Sequence, residues 1–238
     1  MRSKDDVRAE VWRAMEREGV ARFPGARGRI PNFEGAKRAA EHLARHSAWT
    51  SAETLKVNPD SPQTHVRRMA LAEGKLLVMA VPRLRDEHPF RLVDPRKLAD
   101  RKRRDAATIK GALRYGEALQ LDEVPELDLV LAGSVAVNAK GARIGKGGGF
   151  SDLEYGLLHE TGKVAGSTVI ATTVHPIQIL REDLLMTRHD IPVNLIATPR
   201  EVIEVNGAYD RPAGILWEHL EPRQIYEIPV LERFAGAG

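Results

Sequence analysis

Residues 127–156 read LDLVLAGSVAVNAKGARIGKGGGFSDLEYG, an apolar run followed by a cluster of glycines and then by the start of a helix. Residues 127–138 are the most apolar part of the chain, so we expect a central pair of buried strands there. Glycine adopts positive φ angles at little cost, which lets successive backbone N–H groups converge on an anion. Residues 151–154 have the composition of a helix start, whose free N–H groups attract phosphate. The stretch predicts a strand–loop–helix unit.

The spacing of this stretch excludes two common nucleotide-binding signatures. Lys146 is not followed by Ser or Thr, as a P-loop requires. The dinucleotide pattern G-x-G-x-x-G fails because Phe150 stands at its last position. Arg143 and Lys146 would add full positive charges beside the glycines. From the residues alone, a phosphate cradle and an ordinary flexible turn are equally open.

Composition narrows the class of protein. The chain has 238 residues, no cysteine and a net charge of +3, so disulfides and thiolate metal sites are excluded. The first residues lack the apolar core of a signal peptide, and no run approaches the ~18 apolar residues of a membrane span. We therefore expect a cytoplasmic protein with no membrane partner. The mildly basic charge is compatible with anionic ligands such as nucleotides and folates, and with weak nucleic-acid binding.

The rest of the chain alternates helical and strand patterns. Apolar spacing predicts helices over 5–19, 34–46 and 63–74, the last closed by Gly74, and strands over 52–58, 75–84, 167–176, 193–199 and 201–206. Residues 52–58 alternate in polarity, which is typical of a strand. Strands separated by helices indicate βαβ units. We predict a single three-layer α/β/α domain over residues 1–238 with a mainly parallel sheet, on which an N-terminal helical segment, 1–48, packs.

Several motifs together resemble a known family. ARIGKGGGFSDLEYG at 142–156 resembles the signature R-L-G-x-G-x-G-Y-Y-D of the 5-formyltetrahydrofolate cyclo-ligase family. Lys4 and Arg8 resemble its N-terminal K-x-x-x-R, and GKLLVMAVPRL (74–84) and HDIPVNLIATP (189–199) resemble two later segments in the same order. RIPNFEGA (29–36) is similar to the branch of methenyltetrahydrofolate-synthetase-domain-containing proteins. The resemblance implies a fold like that of sugar isomerases and CoA transferases.

The resemblance also implies a reaction and its residues. Family members use ATP and Mg²⁺ to turn 5-formyltetrahydrofolate into 5,10-methenyltetrahydrofolate, and such phosphoryl transfer depends on positioning and positive charge. Carried over by position, the catalytic residues would be Arg143 and Lys146. The ligands of Mg²⁺ would be Asp152 and Asp190, and the substrate would contact Arg8, Leu55, Asp60 and Phe150. The ATP-binding residues would be Lys4, Arg8, Arg143, Gly145, Lys146, Gly147, Gly148, Gly149, Phe150 and Ser151.

The sequence departs from the family on the folate side. Phe150 and Ser151 replace paired tyrosines, and Asp60 is one methylene shorter than the usual glutamate. A missing polar partner at a substrate site can cost a few kcal/mol. The alternative is therefore a nucleotide-binding homologue without cyclo-ligase activity, including an RNA-associated module that would use Arg101–Arg104 within the basic segment 96–114.

Simpler interpretations stand beside these. Two basic residues four apart on a helix, such as Lys4 and Arg8, are usually solvated charge. A lone acid in a first turn, such as Asp152, usually compensates the helix dipole. His175 follows an apolar run and is expected to be a hydrogen-bonding histidine at a strand end. The histidines show no H-E-x-x-H spacing, which argues against zinc.

Overall fold

Strands and helices alternate along the computed structural model, which describes residues 1–205 and 207–235. The helices are α1 (Lys4–Arg17), α2 (Ala36–Ala44), α3 (Ser47–Thr50), α4 (Thr64–Ala72), α5 (Asp100–Ala106), α6 (Ile109–Tyr115), α7 (Phe150–Glu160), α8 (Pro222–Glu227) and α9 (Pro229–Ala235). The strands are β1 (Ala21–Arg22), β2 (Asn32–Phe33), β3 (Thr54–Val57), β4 (Leu76–Ala80), β5 (Phe90–Val93), β6 (Glu117–Leu119), β7 (Leu129–Leu131), β8 (Ala136–Asn138), β9 (Arg143–Ile144), β10 (Val169–Thr173), β11 (Ile179–Leu180), β12 (Leu195–Ala197) and β13 (Val202–Glu204). Short 3-10 turns cover Ser61–Gln63, Pro82–Leu84, Pro95–Lys97, Pro176–Gln178 and Trp217–His219.

A central sheet has the strand order β13-β12-β10-β7-β3-β4-β5-β6. Neighbours from β12 through β4 pair in parallel, whereas β13, β5 and β6 pair antiparallel at the two edges. The inner strands are almost wholly buried, since helices cover both faces. The predicted α/β class with a mainly parallel sheet is confirmed.

Alternate side chains of the inner strands belong to two separate cores. Leu129 and Leu131 of β7 pack in a cluster with residues of α2, α4, α5 and α6, while Val130 between them packs with α7 and α9. The sheet therefore has a helical layer on each face, as a parallel sheet requires. That residues 1–238 form one domain stays a prediction.

A third cluster attaches the N-terminal helix. Val7, Val11 and Met15 on one face of α1 pack with Ala136 and Ile144 of a small sheet ordered β11-β8-β9. Helix α2 joins this cluster through Ala36 and Ala39 and the core beneath the central sheet through Ala40 and Leu43. Helix α2 thus links the N-terminal helix to the central sheet.

One detail of the strand prediction is corrected. The expected central pair at 127–138 is split, because β7 lies in the central sheet and β8 pairs with β9 and β11. The strand predicted at 52–58 is present as β3 and is buried on both faces. The antiparallel edge strands β5 and β6 were not predicted.

The fold brings several loops to one edge of the central sheet. The carboxyl ends of β3, β4 and β7 lead into residues 58–61, 81–83 and 133, and such edges are where α/β proteins place ligands. Within the described part of the chain, no helix is long and apolar enough to cross a membrane.

Candidate functional site

A cavity of about 700 Å³ opens at this edge of the sheet. Its walls come from the carboxyl ends of β3, β4 and β7, the glycine-rich loop 145–149 with the first turn of α7, the face of α1 that carries Lys4 and Arg8, and residues 189–190. Every residue predicted for the site lines this cavity except Leu55. The residues named from distant parts of the sequence are therefore neighbours, while their individual roles stay predictions.

Leu55 is placed elsewhere. Its side chain is 0% exposed and packs in the cluster between the central sheet and α2 and α4. Because successive strand residues point to opposite faces, Leu55 and Lys56 cannot both face α7. The prediction that Leu55 contacts substrate is corrected by this placement.

The glycine-rich loop connects β9 to α7 in a conformation that glycine adopts without strain. Gly147 has a φ of 104° and Gly149, the N-cap of α7, a φ of 67°. Residues 146–149 are exposed. Within the described residues, the backbone N–H groups of 145–149 donate no hydrogen bond. The loop thus presents unpaired N–H groups and a helix N-terminus to the cavity, which is how proteins bind phosphate.

Three cations of the cavity wall, Lys4, Arg8 and Lys146, are paired with oxygen atoms of the protein. Lys4 Nζ donates to Asp190 at 2.6 Å, and Lys146 Nζ donates to Asp60 at 2.8 Å. Arg8 Nε donates to the carbonyl oxygen of Gly145 at 2.7 Å, so α1 holds the start of the loop. A bound anion would have to displace the protein oxygen atoms from these cations, and a bound metal ion would have to displace the lysines from their carboxylates.

Arg143 is almost wholly buried at the wall of the cavity. Its side chain is 1% exposed, and its guanidinium donates to the carbonyl oxygens of Gly133 at 2.9 Å and Ile191 at 3.2 Å, and to the carboxylate of Asp152. These bonds fix the position of Asp152. Direct contact of Arg143 with ATP and its part in catalysis stay predictions.

Asp152 and Asp190 lie on the same wall. Asp152 accepts a hydrogen bond at 3.0 Å from the backbone N–H of Ile191, the residue after Asp190. Burial raises the pKa of Asp190, but hydrogen bonds from Lys4 and Thr187 outweigh it, and the pKa lies below its ordinary value. Two ionised carboxylates are ligands that Mg²⁺ prefers, with water and phosphate completing its octahedron.

A buried polar network was missed by the sequence analysis. Lys56 on β3 is 1% exposed, pairs with Glu154 of α7 and donates at 2.7 Å to Asn58, whose amide donates at 2.9 Å to Ser151 Oγ. We call Lys56, Asn58, Ser151 and Glu154 the Lys56 network. The available signal was a lysine within the strand TLKV.

The basic segment 96–114 forms the α5–α6 hairpin. Arg101, Lys102 and Arg104 are exposed, but Arg103 donates at 2.8 Å to the carbonyl oxygen of Pro95 and at 3.0 Å to that of Leu98. Lys102 lies over the ring of Tyr115 at 6.0 Å. Arg103 therefore has a structural role, and nucleic-acid binding through Arg101–Arg104 stays a prediction.

His175 is the hydrogen-bonding histidine that was expected. It follows β10 and its Nδ1 accepts the backbone N–H of Ile177 at 3.3 Å, while its own N–H donates to Gln178 Oε1 at 2.8 Å. These two bonds cap the 3-10 turn after β10. The structural interpretation of His175 is confirmed.

Comparisons with known proteins agree with the motifs. A model described as the 5-formyltetrahydrofolate cyclo-ligase family matches residues 1–199. Methenyltetrahydrofolate synthase domain-containing proteins of Bos taurus and Mus musculus are 40% and 39% identical over 231 residues, which is 96% of this chain but 61% and 62% of theirs. The chain thus spans about three-fifths of the length of these relatives.

A solved structure supports the fold. The NMR structure of Aquifex aeolicus 5,10-methenyltetrahydrofolate synthetase aligns with a TM-score of 0.54 at 17% identity, covering 91% of this chain and 99% of that one. The match over residues 1–199 includes the basic pair of α1, the glycine-rich loop and both aspartates, which the fold gathers at one cavity. On this evidence, the chain belongs to the 5-formyltetrahydrofolate cyclo-ligase family.

Proposed function

We propose that this protein is an ATP- and Mg²⁺-dependent ligase that converts 5-formyltetrahydrofolate to 5,10-methenyltetrahydrofolate. The observation that carries the proposal is the shared cavity, in which free loop amides, basic side chains and two carboxylates meet. Its volume of about 700 Å³ is within the range of small-molecule sites.

The nucleotide would bind at the glycine-rich loop. The unpaired N–H groups of 145–149 and the N-terminus of α7 would hold the phosphates, and Lys4, Arg8 and Lys146 would add positive charge. Lys4 would then leave Asp190, which frees that carboxylate for a cation. Asp190 and Asp152 are the residues that would hold Mg²⁺, and bound Mg²⁺ would neutralise charge on the phosphates.

The reaction needs the formyl group to lie beside the terminal phosphate. In the family's chemistry the phosphoryl group moves from ATP to the formyl oxygen, the neighbouring amine attacks the formyl carbon, and phosphate leaves. Lys146 extends from the loop to Asp60, between the loop and the end of β3, where it would meet the transferring phosphoryl group. Phe150, partly buried beside the loop, would pack against the folate ring.

The proposal is tested in two stages. Isothermal titration with MgATP measures nucleotide binding, and absorbance of the methenyl product after addition of 5-formyltetrahydrofolate measures turnover. Lys146→Ala should lower kcat about 10²-fold or more, as removal of one stabilising donor does elsewhere. Lys140→Ala, a surface lysine paired with Asp183, is the matched control. Absence of product with the wild-type protein would disprove the ligase activity.

A nucleotide-binding protein without turnover is the second candidate. It is favoured by Ser151, which takes part in the Lys56 network where the family signature has a tyrosine. It predicts MgATP binding with no effect of folate. Its RNA-associated form predicts RNA affinity that falls steeply with salt and with neutralisation of Arg101–Arg104.

The cytoplasmic location also stays a prediction.

A further inference from the structure

The glycine-rich loop has few contacts of its own. Residues 146–149 are exposed, and within the described part of the chain the backbone N–H groups of 145–149 have no hydrogen-bond acceptor. A loop that must be ordered when it binds loses affinity by the cost of that ordering. Apart from the bond of Lys146 to Asp60, the position of the loop therefore depends on how its two ends are held.

The first end is fixed by Arg8 and Arg143. Arg8 donates to the carbonyl oxygen of Gly145, and Arg143 in β9 ties Gly133, Ile191 and Asp152 together. Both arginines thus hold the start of the loop, at Gly145 and in the strand before it. The bond from Arg143 to Asp152 also reaches the first turn of α7.

The second end is joined to the central sheet by the Lys56 network. Ser151 and Glu154 are three residues apart on α7, so their side chains lie on one face of its first turn. Both are bonded to residues of β3 and its end: Glu154 to Lys56, and Ser151 to Asn58 at 2.9 Å. Lys56 is opposite Val78 of β4 and Val130 of β7, in the middle of the sheet.

A buried ion pair of this kind is a poor source of stability. The cost of removing both charges from water offsets much of their attraction, and apolar pairs of similar volume often replace them without loss. An ion pair in the middle of a largely apolar sheet therefore calls for an explanation from geometry.

We propose that Lys56 and Glu154 are positioning residues that hold the first turn of α7, and with it the glycine-rich loop, in the conformation that binds the nucleotide. The proposal rests on the proposed function for the identity of the ligand. Lys56 does not line the cavity, whereas Glu154 does. The positioning effect of both is exerted through Asn58, Ser151 and the helix backbone, and the exchange measurement below tests it without a ligand.

The test replaces the pair by apolar residues. The double variant Lys56→Met/Glu154→Leu leaves no unpaired buried charge, so its melting temperature should stay within a few degrees of the wild type. Its affinity for MgATP should fall about tenfold or more, because ordering of the loop is then added to the cost of binding. The same two changes at the exposed pair, Lys140→Met/Asp183→Leu, are the control and should leave affinity unchanged.

A second measurement needs no ligand. Amide hydrogen exchange should become at least severalfold faster at residues 153–156, in the N-terminal part of α7, and stay unchanged at residues 157–160. Simple destabilisation would accelerate exchange throughout the helix. Unchanged exchange at 153–156 in the folded double variant would overturn the inference, whether or not the wild-type protein binds MgATP.

A milder variant covers the case in which the double variant does not fold. Ser151→Ala removes only the acceptor of the bond from Asn58 and should accelerate exchange at 153–156 by a smaller factor. No acceleration in this variant would contradict the role of the network. Failure of the wild-type protein to bind MgATP would count against the proposed function alone.

Discussion

Gly147 is the residue at which the proposed closure of the loop on an anion can be tested. Its φ of 104° is strained for any residue with a β-carbon, and a Cβ there would lie 3.5 Å from the guanidinium of Arg8. We expect Gly147→Val to lower MgATP affinity at least tenfold in a titration while the melting temperature changes little, because the loop is exposed. Gly74→Val, at a φ of 84° after α4, imposes similar strain away from the cavity. Equal affinity in both variants would show that the loop is only a turn.

The ionisation of Asp190 makes the stability of the protein depend on pH. The pKa of Asp190 is lower in the folded protein than in the unfolded chain, where it is about 3.9. Its contribution to stability is therefore present above about pH 3.9 and is lost as the pH falls through the lower folded pKa. We expect Asp190→Asn to reduce the free energy of unfolding by about 1.5–3 kcal/mol at pH 7. This difference should narrow in urea titrations below about pH 3.9. Asp183→Asn, in an exposed pair, should show neither effect.

Individual residues of the candidate site could be predicted from the sequence where they occupy a position in a motif. Asp60, Asp152 and Asp190 were located because each stands at a recognisable position in a segment. Lys56 was missed because the burial of a lysine depends on a partner, Glu154, that the fold brings to it from 98 positions away. Leu55 was misplaced because position in a motif does not say which face of the sheet a strand residue occupies.

Among the elements, those with long apolar runs were predicted best. β4 and β10 lie within such runs, since strands buried on both faces are mostly apolar. β5 and β6 have only four and three residues and no comparable run. β8 was assigned to the wrong sheet because apolarity indicates burial but does not identify the partner strand.

The turn after β10 should make stability depend on pH near neutrality. Burial, and then the charge of Arg200, lower the pKa of His175, so the unfolded chain takes up the proton first as the pH falls. Protonation would also remove the acceptor for the N–H of Ile177. Stability should therefore fall below about pH 6.5.

His175→Asn keeps an acceptor and removes the titration, so its loss of stability between pH 7.5 and 5.5 should be smaller than that of the wild type. His65 on α4, whose pKa burial also lowers, should account for part of the remainder. Thermal unfolding at the two pH values is measured for the variant at His175, for a variant at His65 and for the protein with both changes. The comparison separates the contributions of the two histidines. A pH dependence identical to the wild type in His175→Asn would contradict this role.

Across the whole molecule, the core extends beyond the region that identifies the family. The family match ends at residue 199, yet Ile215, Ile228, Val230 and Leu231 are buried in the cluster formed by α7 and the central sheet. The same helix α7 carries the end of the glycine-rich loop. The segment after residue 199 therefore supports the layer on which the site is built.

Leu231 tests this dependence. Its side chain is 0% exposed in α9, and truncation of a buried leucine leaves a cavity in addition to the lost burial. Leu231→Ala should lower the free energy of unfolding by about 2–5 kcal/mol. Tyr226→Ala, at a side chain that is 82% exposed on α8, should change it by less than about 0.5 kcal/mol. Urea unfolding of both variants decides the matter, and a Leu231→Ala protein as stable as Tyr226→Ala would place α9 outside the cooperative core.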